Sequence, residues 1–182
     1  LTSIGASADL NGVSINKNNK DHVLVSEAGY GSSSKVFVSF NATSANPTFV
    51  NIHNNLPEMP VYSCVIDRAN PDRYVLGTEL GIWATEDAGA TWHEENAGMG
   101  GRFPVYRVRQ HWMNNFDCDL ISAGTLGAGM YTCTTLMDCA NKDNLIWGQP
   151  DFTDIDKVSD LALNSVSVYP NPVQDVAKIA FN

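Results

Sequence analysis

Short apolar runs alternate with polar turns along most of this chain, and their spacing predicts strands. Tyr74-Val75-Leu76-Gly77-Thr78 is apolar and β-prone, Glu79 and Leu80 form a tight turn, and Gly81-Ile82-Trp83-Ala84-Thr85 runs back. Residues 61–67 supply a strand before this hairpin, residues 68–73 a polar turn, and a further strand starts at Trp92. Apolar runs of this length, bounded by Gly, Asn, Asp and Pro, read as strands of an antiparallel sheet. No stretch sustains the apolar period of an amphipathic helix, so the expected class is all-β.

The unit repeats. Residues 13–40, 60–92 and 104–133 align, with Phe37, Trp83 and Tyr131 in equivalent positions 46 and 48 residues apart. Several strands per unit at such a period are the signature of propeller blades. The three aromatic residues are therefore expected to be buried between neighbouring blades. Residues 1–12 read as the end of an earlier blade, and residues 49–53 as the outer strand of the first full unit. Asn54-Asn55-Leu56-Pro57-Glu58-Met59-Pro60 is a Pro-punctuated crossover to the next inner strand, and residues 99–104 do the same one unit later. Propellers close with about four to eight blades. Three units imply that partner blades or another chain cover the ends, and the chain reads as the C-terminal piece of a longer protein.

Between the hairpin and the last strand of the middle unit lies Thr85-x-Asp87-x-Gly89-x-Thr91-Trp92. An Asp opening a turn accepts hydrogen bonds from nearby backbone N–H groups, and Gly tolerates a left-handed backbone. Asp87 is thus expected to close the turn, with Trp92 dropping its ring back onto its own blade. The first unit offers only Ser39, Asn41 and Thr43 here, with no Asp-x-Gly, and the third unit also lacks the pattern.

After Cys133 the rhythm breaks. Residues 140–160 are polar and acidic, with Trp147 and Phe152 as the large anchors. Val166 and Val168 then alternate with polar neighbours, Pro170-Asn171-Pro172 ends that strand, and residues 177–181 form another. The expected organisation is propeller blades over 1–147, a solvated flexible linker over 148–164, and a separate β-domain beginning at 165–182.

Two resemblances overlap on these motifs. The Thr85, Asp87, Gly89, Thr91, Trp92 pattern matches the Asp-box of sialidase-like β-propellers. The phrases at residues 56–63, 77–85 and 124–129 resemble propeller repeats of large secreted Bacteroidetes proteins. The tail, with Tyr169, Pro170, Asn171 and Pro172 after Val166-Ser167-Val168, resembles the opening of the type A C-terminal sorting domain of the type IX secretion system. The resemblance implies a β-sandwich sorting domain, cut short at Asn182, that addresses a propeller to the cell surface. It implies as partners the secretion translocon and outer-membrane shuttle proteins, with a glycan or a protein as the propeller's own ligand. A propeller glycoside hydrolase with catalytic residues in upstream blades is the alternative, and a surface component of the secretion machinery is a third reading.

Charge and composition narrow the partners. The net charge is −9 over 182 residues, which disfavours nucleic acid and anionic membrane. No apolar run approaches the ~20 residues of a membrane-spanning helix. No cofactor is implied. Arg102-Phe103-Pro104 faintly resembles the sialidase x-R-x-P phrase but falls in a crossover. Asp67, Asp72 and Asp117 fall in turns after inner strands, where a surface role is expected rather than the paired carboxylates of a glycosidase. Asp151, Asp154, Asp156 and Asp160 lack the spacing and Gly of a calcium loop. His22, His53, His93 and His111 sit at turns or strand ends of different units, with no metal-cage spacing. Catalytic and metal-binding residues are therefore not assigned. Of the four cysteines, Cys64 reads as a buried reduced thiol. The turn geometry of a four-stranded blade favours a Cys118–Cys139 disulfide, with Cys133–Cys139 as the rival.

Overall fold

A computed structural model of the chain describes residues 10–31, 33–111, 120–133, 147–148, 166–169 and 178–181. Every regular element among them is a β-strand. The chain divides into two units, Leu1–Pro150 and Asp151–Asn182.

The first unit holds three four-stranded antiparallel meanders. The first is β1 (Leu10–Asn16), β2 (Asn19–Glu27), β3 (Val36–Ser39) and β4 (Val50–Asn51). The second is β5 (Val61–Ile66), β6 (Tyr74–Thr78), β7 (Gly81–Thr85) and β8 (His93–Glu94). The third is β9 (Val105–His111), β10 (Leu120–Thr125), β11 (Met130–Cys133) and β12 (Trp147–Gly148). Strand order within each sheet is sequence order, so each sheet is one propeller blade with its inner strand first. The second unit contains β13 (Val166–Tyr169) and β14 (Lys178–Phe181), an antiparallel pair with Val166 opposite Phe181 and Tyr169 opposite Lys178.

The blades stack through two apolar layers. Leu24, Val36, Val38 and Ile52 of the first blade meet Val61, Cys64, Ile66, Tyr74, Leu76 and Trp92 of the second. Val65, Val75, Ile82 and Ala84 on the opposite face of the second blade meet Val108, Ile121, Ala123 and Tyr131 of the third. The middle blade is therefore covered on both faces. This is why β6 reads as a continuous apolar run instead of an alternating one: all five of its residues are buried.

Phe37, Trp83 and Tyr131 do occupy one register position: they pair with Val25, Leu76 and Ala123. Phe37 and Tyr131 are buried. Trp83 is half-buried, packed at its edge against the layer between the first two blades. Leu10, Asn11 and Gly12 are not the end of an earlier blade. They begin β1, through an irregularity between Leu10 and Gly12. Gly12 makes this start possible, because a Cβ there would lie 2.3 Å from the Ser26 hydroxyl and 3.0 Å from the Cys64 backbone nitrogen. The inner strands of the first two blades approach too closely for a side chain at that point.

Candidate functional site

The clasp at residues 85–92 is built by local hydrogen bonds. The Thr85 hydroxyl donates to Asp87 Oδ1 at 2.6 Å and accepts from the backbone N–H groups of Asp87 and Gly89. Asp87 in turn accepts from the Thr91 N–H at 2.8 Å and from the Thr91 hydroxyl at 2.6 Å. These donors hold the Asp87 carboxyl down at about 2. Gly89 has φ of +89°, and a Cβ there would also meet Ile52 of the first blade at 2.6 Å.

The clasp reaches across the blade boundary. Trp92 is fully buried and contacts Tyr74 of its own blade, with ring centroids 6.4 Å apart. Its indole N–H, however, donates to the Ile52 carbonyl of the preceding blade at 2.8 Å. Asn54 donates to the Gly89 carbonyl, and Asn55 bonds both the N–H and the carbonyl of Trp92. Trp92 thus packs on its own blade, as expected, and in addition fastens that blade to the crossover from the first.

The first blade also has a clasp, which the sequence pattern missed. Asn41 stands where Asp87 stands, and its N–H bonds the Ser39 hydroxyl. Its Oδ1 accepts from the Thr48 N–H at 2.8 Å and the Thr48 hydroxyl at 3.0 Å. The partner is Thr48, followed by Phe49, not Thr43. Thr43 instead bonds the Asp21 carboxylate. A longer loop and an amide in place of the carboxylate hid the equivalence. The Ser-x-Asn and Thr-Phe pairs were the signals that could have found it.

A groove of about 410 Å³ runs along the inner strands, lined by β1 and β5 and by Arg68, Arg109 and Gln110. Gln110 donates to Asp67 Oδ1 at 2.8 Å and accepts from the Arg68 N–H at 3.0 Å. Arg73 holds the other Asp67 oxygen at 3.2 Å and reaches Glu86 with its Nε. Asp67 is thus buried and locked, which corrects the expectation of a surface turn residue: its carboxylate is tied to Arg73 and Gln110. No carboxylate is among the groove's lining residues. Asp72 lies in the turn before β6, and its carbonyl accepts from Ala88. Glu95, just past β8, is half-buried with its carboxyl pushed up by burial, but it stands at the outer edge of the blade.

Arg102 is exposed and pairs with Glu94, its Nε 2.7 Å from the carboxylate, as a crossover residue would. His22 lies inside β2 and not at a strand end. It is buried, bonds the Tyr74 hydroxyl at 2.8 Å and stacks on Phe40. His53 is buried, and His93 and His111 are exposed. Among the described residues no three His, Cys, Asp or Glu side chains converge to hold a metal ion. Cys64 is a buried thiol whose pKa burial raises to about 12, and Cys133 is buried between the second and third blades. Cys118, Cys139, Asp117, the acidic run 151–160 and the Pro170-Asn171-Pro172 phrase lie outside the described residues.

At one end of the inner strands, Tyr62 and Tyr106, the second residues of β5 and β9, bring their rings together with centroids 4.5 Å apart and planes 34° apart. The Tyr62 hydroxyl donates to Glu79 in the β6–β7 turn. Sequence reading passed over both tyrosines, although each follows the same Pro-Val dipeptide.

No protein-family model matches the chain, and no curated protein matches it. Among solved structures, it is similar to an ancestral GH74 enzyme at 19% identity and a TM-score of 0.47, over 77% of this chain and 20% of that one. It is also similar to the GH74 xyloglucanase from Xanthomonas campestris, at 14% identity and a TM-score of 0.42, over 68% of this chain and 22% of that one. The chain thus spans about a fifth of the solved proteins it matches. Likeness at that level carries no argument about activity. The class is set by the chain's own sheets: an all-β protein built of propeller blades.

Proposed function

We propose that this chain belongs to a non-catalytic β-propeller that acts as a recognition or scaffold module at the cell surface, exported through the type IX secretion route. The observation that carries the non-catalytic part is the chemistry of the inner groove. Most glycoside hydrolases use two carboxyl groups flanking one bond. The groove is lined by arginine, glutamine and apolar residues, and Asp67 beside it is tied to Arg73 and Gln110. Asp87 is spent on the clasp.

The export part rests on the tail. Val166–Tyr169 and Lys178–Phe181 pair as an antiparallel hairpin in the second unit, which suits the address domain that the Tyr169-Pro170-Asn171-Pro172 phrase resembles. The partners on this reading are the translocon and outer-membrane shuttle proteins. The experiment is deletion of everything from Ser165 onward, followed by cell fractionation. Accumulation of folded blades in the periplasm is expected. Normal arrival at the surface would refute the sorting role.

A further inference from the structure

We propose that Tyr62, Tyr106 and Glu79 form a platform for an uncharged oligosaccharide. This inference rests on reading the propeller as a recognition module and names what it recognises. Tyr62 and Tyr106 come from adjacent blades, each one residue into an inner strand, so their backbones are held by two sheets. Tyr106 is 42% exposed and Tyr62 is half-buried. Large rings left open on rigid strands lose little freedom when a ligand covers them.

Three features select a sugar. A pyranose ring has one face of C–H groups and a rim of hydroxyls, so it needs a flat apolar surface with polar atoms beside it. The exposed Tyr106 ring, backed by the half-buried Tyr62 ring, supplies the surface, and the Glu79 carboxylate and tyrosine hydroxyls supply the rim. A proline-rich peptide instead needs an open slot between aromatic rings, and here the rings touch and close the slot. Charge disfavours acidic sugars: Glu79 stands at the platform, in a chain of net charge −9.

The turns after the second strands support the same end in both blades. The Glu79 N–H bonds the Pro60 carbonyl, and the Leu126 N–H bonds the Pro104 carbonyl. In the third blade Leu126, 59% exposed, takes the place of Glu79. The platform is therefore asymmetric, with a carboxylate on one side and an apolar side chain on the other.

The test uses the purified chain in affinity gels containing cellulose-, xylan- or mannan-type neutral polysaccharides, polygalacturonate, or no polymer, with melting curves for every variant. Retardation by at least one neutral polymer is expected, with about a tenfold or larger loss of affinity in Tyr106→Ala at unchanged melting temperature. Glu79→Gln is expected to keep the fold and weaken binding less. No retardation by any neutral polymer, or full retardation of Tyr106→Ala, overturns the platform. Retardation by polygalacturonate alone, or capture by a proline-rich peptide competing at Tyr106, overturns the sugar assignment while leaving recognition in place. Release of shortened sugars from any polymer would instead defeat the non-catalytic reading.

Discussion

Removing the Asp87 carboxylate is the sharpest probe of how the blades are fastened. Asp87→Ala deletes three accepted bonds, from the Thr85 hydroxyl and from the Thr91 N–H and hydroxyl. The carboxylate is exposed, so water replaces part of what is lost, and each bond is discounted to about 0.5 kcal/mol. The sum, about 1.5 kcal/mol, corresponds to roughly 3–6 °C in melting temperature for a domain of this size. The dependence on pH makes the test specific. The folded pKa of Asp87 is about 2, below its ordinary 3.8. A depressed carboxyl stabilises the fold fully above its unfolded value and loses that contribution as pH falls through the folded one. The gap between wild type and Asp87→Ala should therefore be complete at neutral pH and shrink as pH drops from 3.8 toward about 2. Asp87→Asn should lose less, because Asn41 already closes the first blade's clasp with an amide oxygen. Melting curves across pH measure all of this. A variant that melts with wild type at neutral pH, or a gap undiminished in acid, would refute the reasoning.

Other expectations concern single sites. Gly12→Val should destabilise by about 1–3 kcal/mol through overpacking, since its Cβ would meet Ser26 and the Cys64 backbone; denaturant midpoints measure this. His22 and His53 are buried with their imidazoles held below the ordinary 6.5. Their contribution is thus present above that value and lost as pH falls through the folded one, and His53→Leu should flatten the stability slope below 6.5 in urea titrations. Cys64, with its thiol pushed up to about 12, should resist alkylation in the folded protein and count as reduced after denaturation. The same thiol count, with and without reductant, should show one disulfide involving Cys139.

The middle blade was the most legible part of the chain. Strands at Tyr74–Thr78 and Gly81–Thr85 fall where the apolar runs and the Glu79-Leu80 turn put them. Strand pairing here is between sequence neighbours, and a tight turn fixes the register. The clasp was legible for the same reason, since Thr85, Asp87 and Thr91 bond within one turn. The first blade's clasp was not, because its Asn41 partner lies seven residues on, at Thr48. The tyrosine pair was invisible as a site, because Tyr62 and Tyr106 meet only when two sheets are laid face to face.

By itself, the sequence determined the all-β class, the repeat and the position of each hairpin. These rest on local periodicity and turn chemistry, which act over a few residues. Tertiary structure alone decided that Trp92 bonds Ile52 across the blade boundary, that Gly12 permits β1 to approach Cys64, and that Arg73 and Gln110 lock Asp67 from two blades. Apart from the Arg73–Asp67 pair, six residues apart, each of those contacts joins residues far apart in the chain. Their partners are chosen by how the sheets stack, and no period in the sequence records the stacking distance.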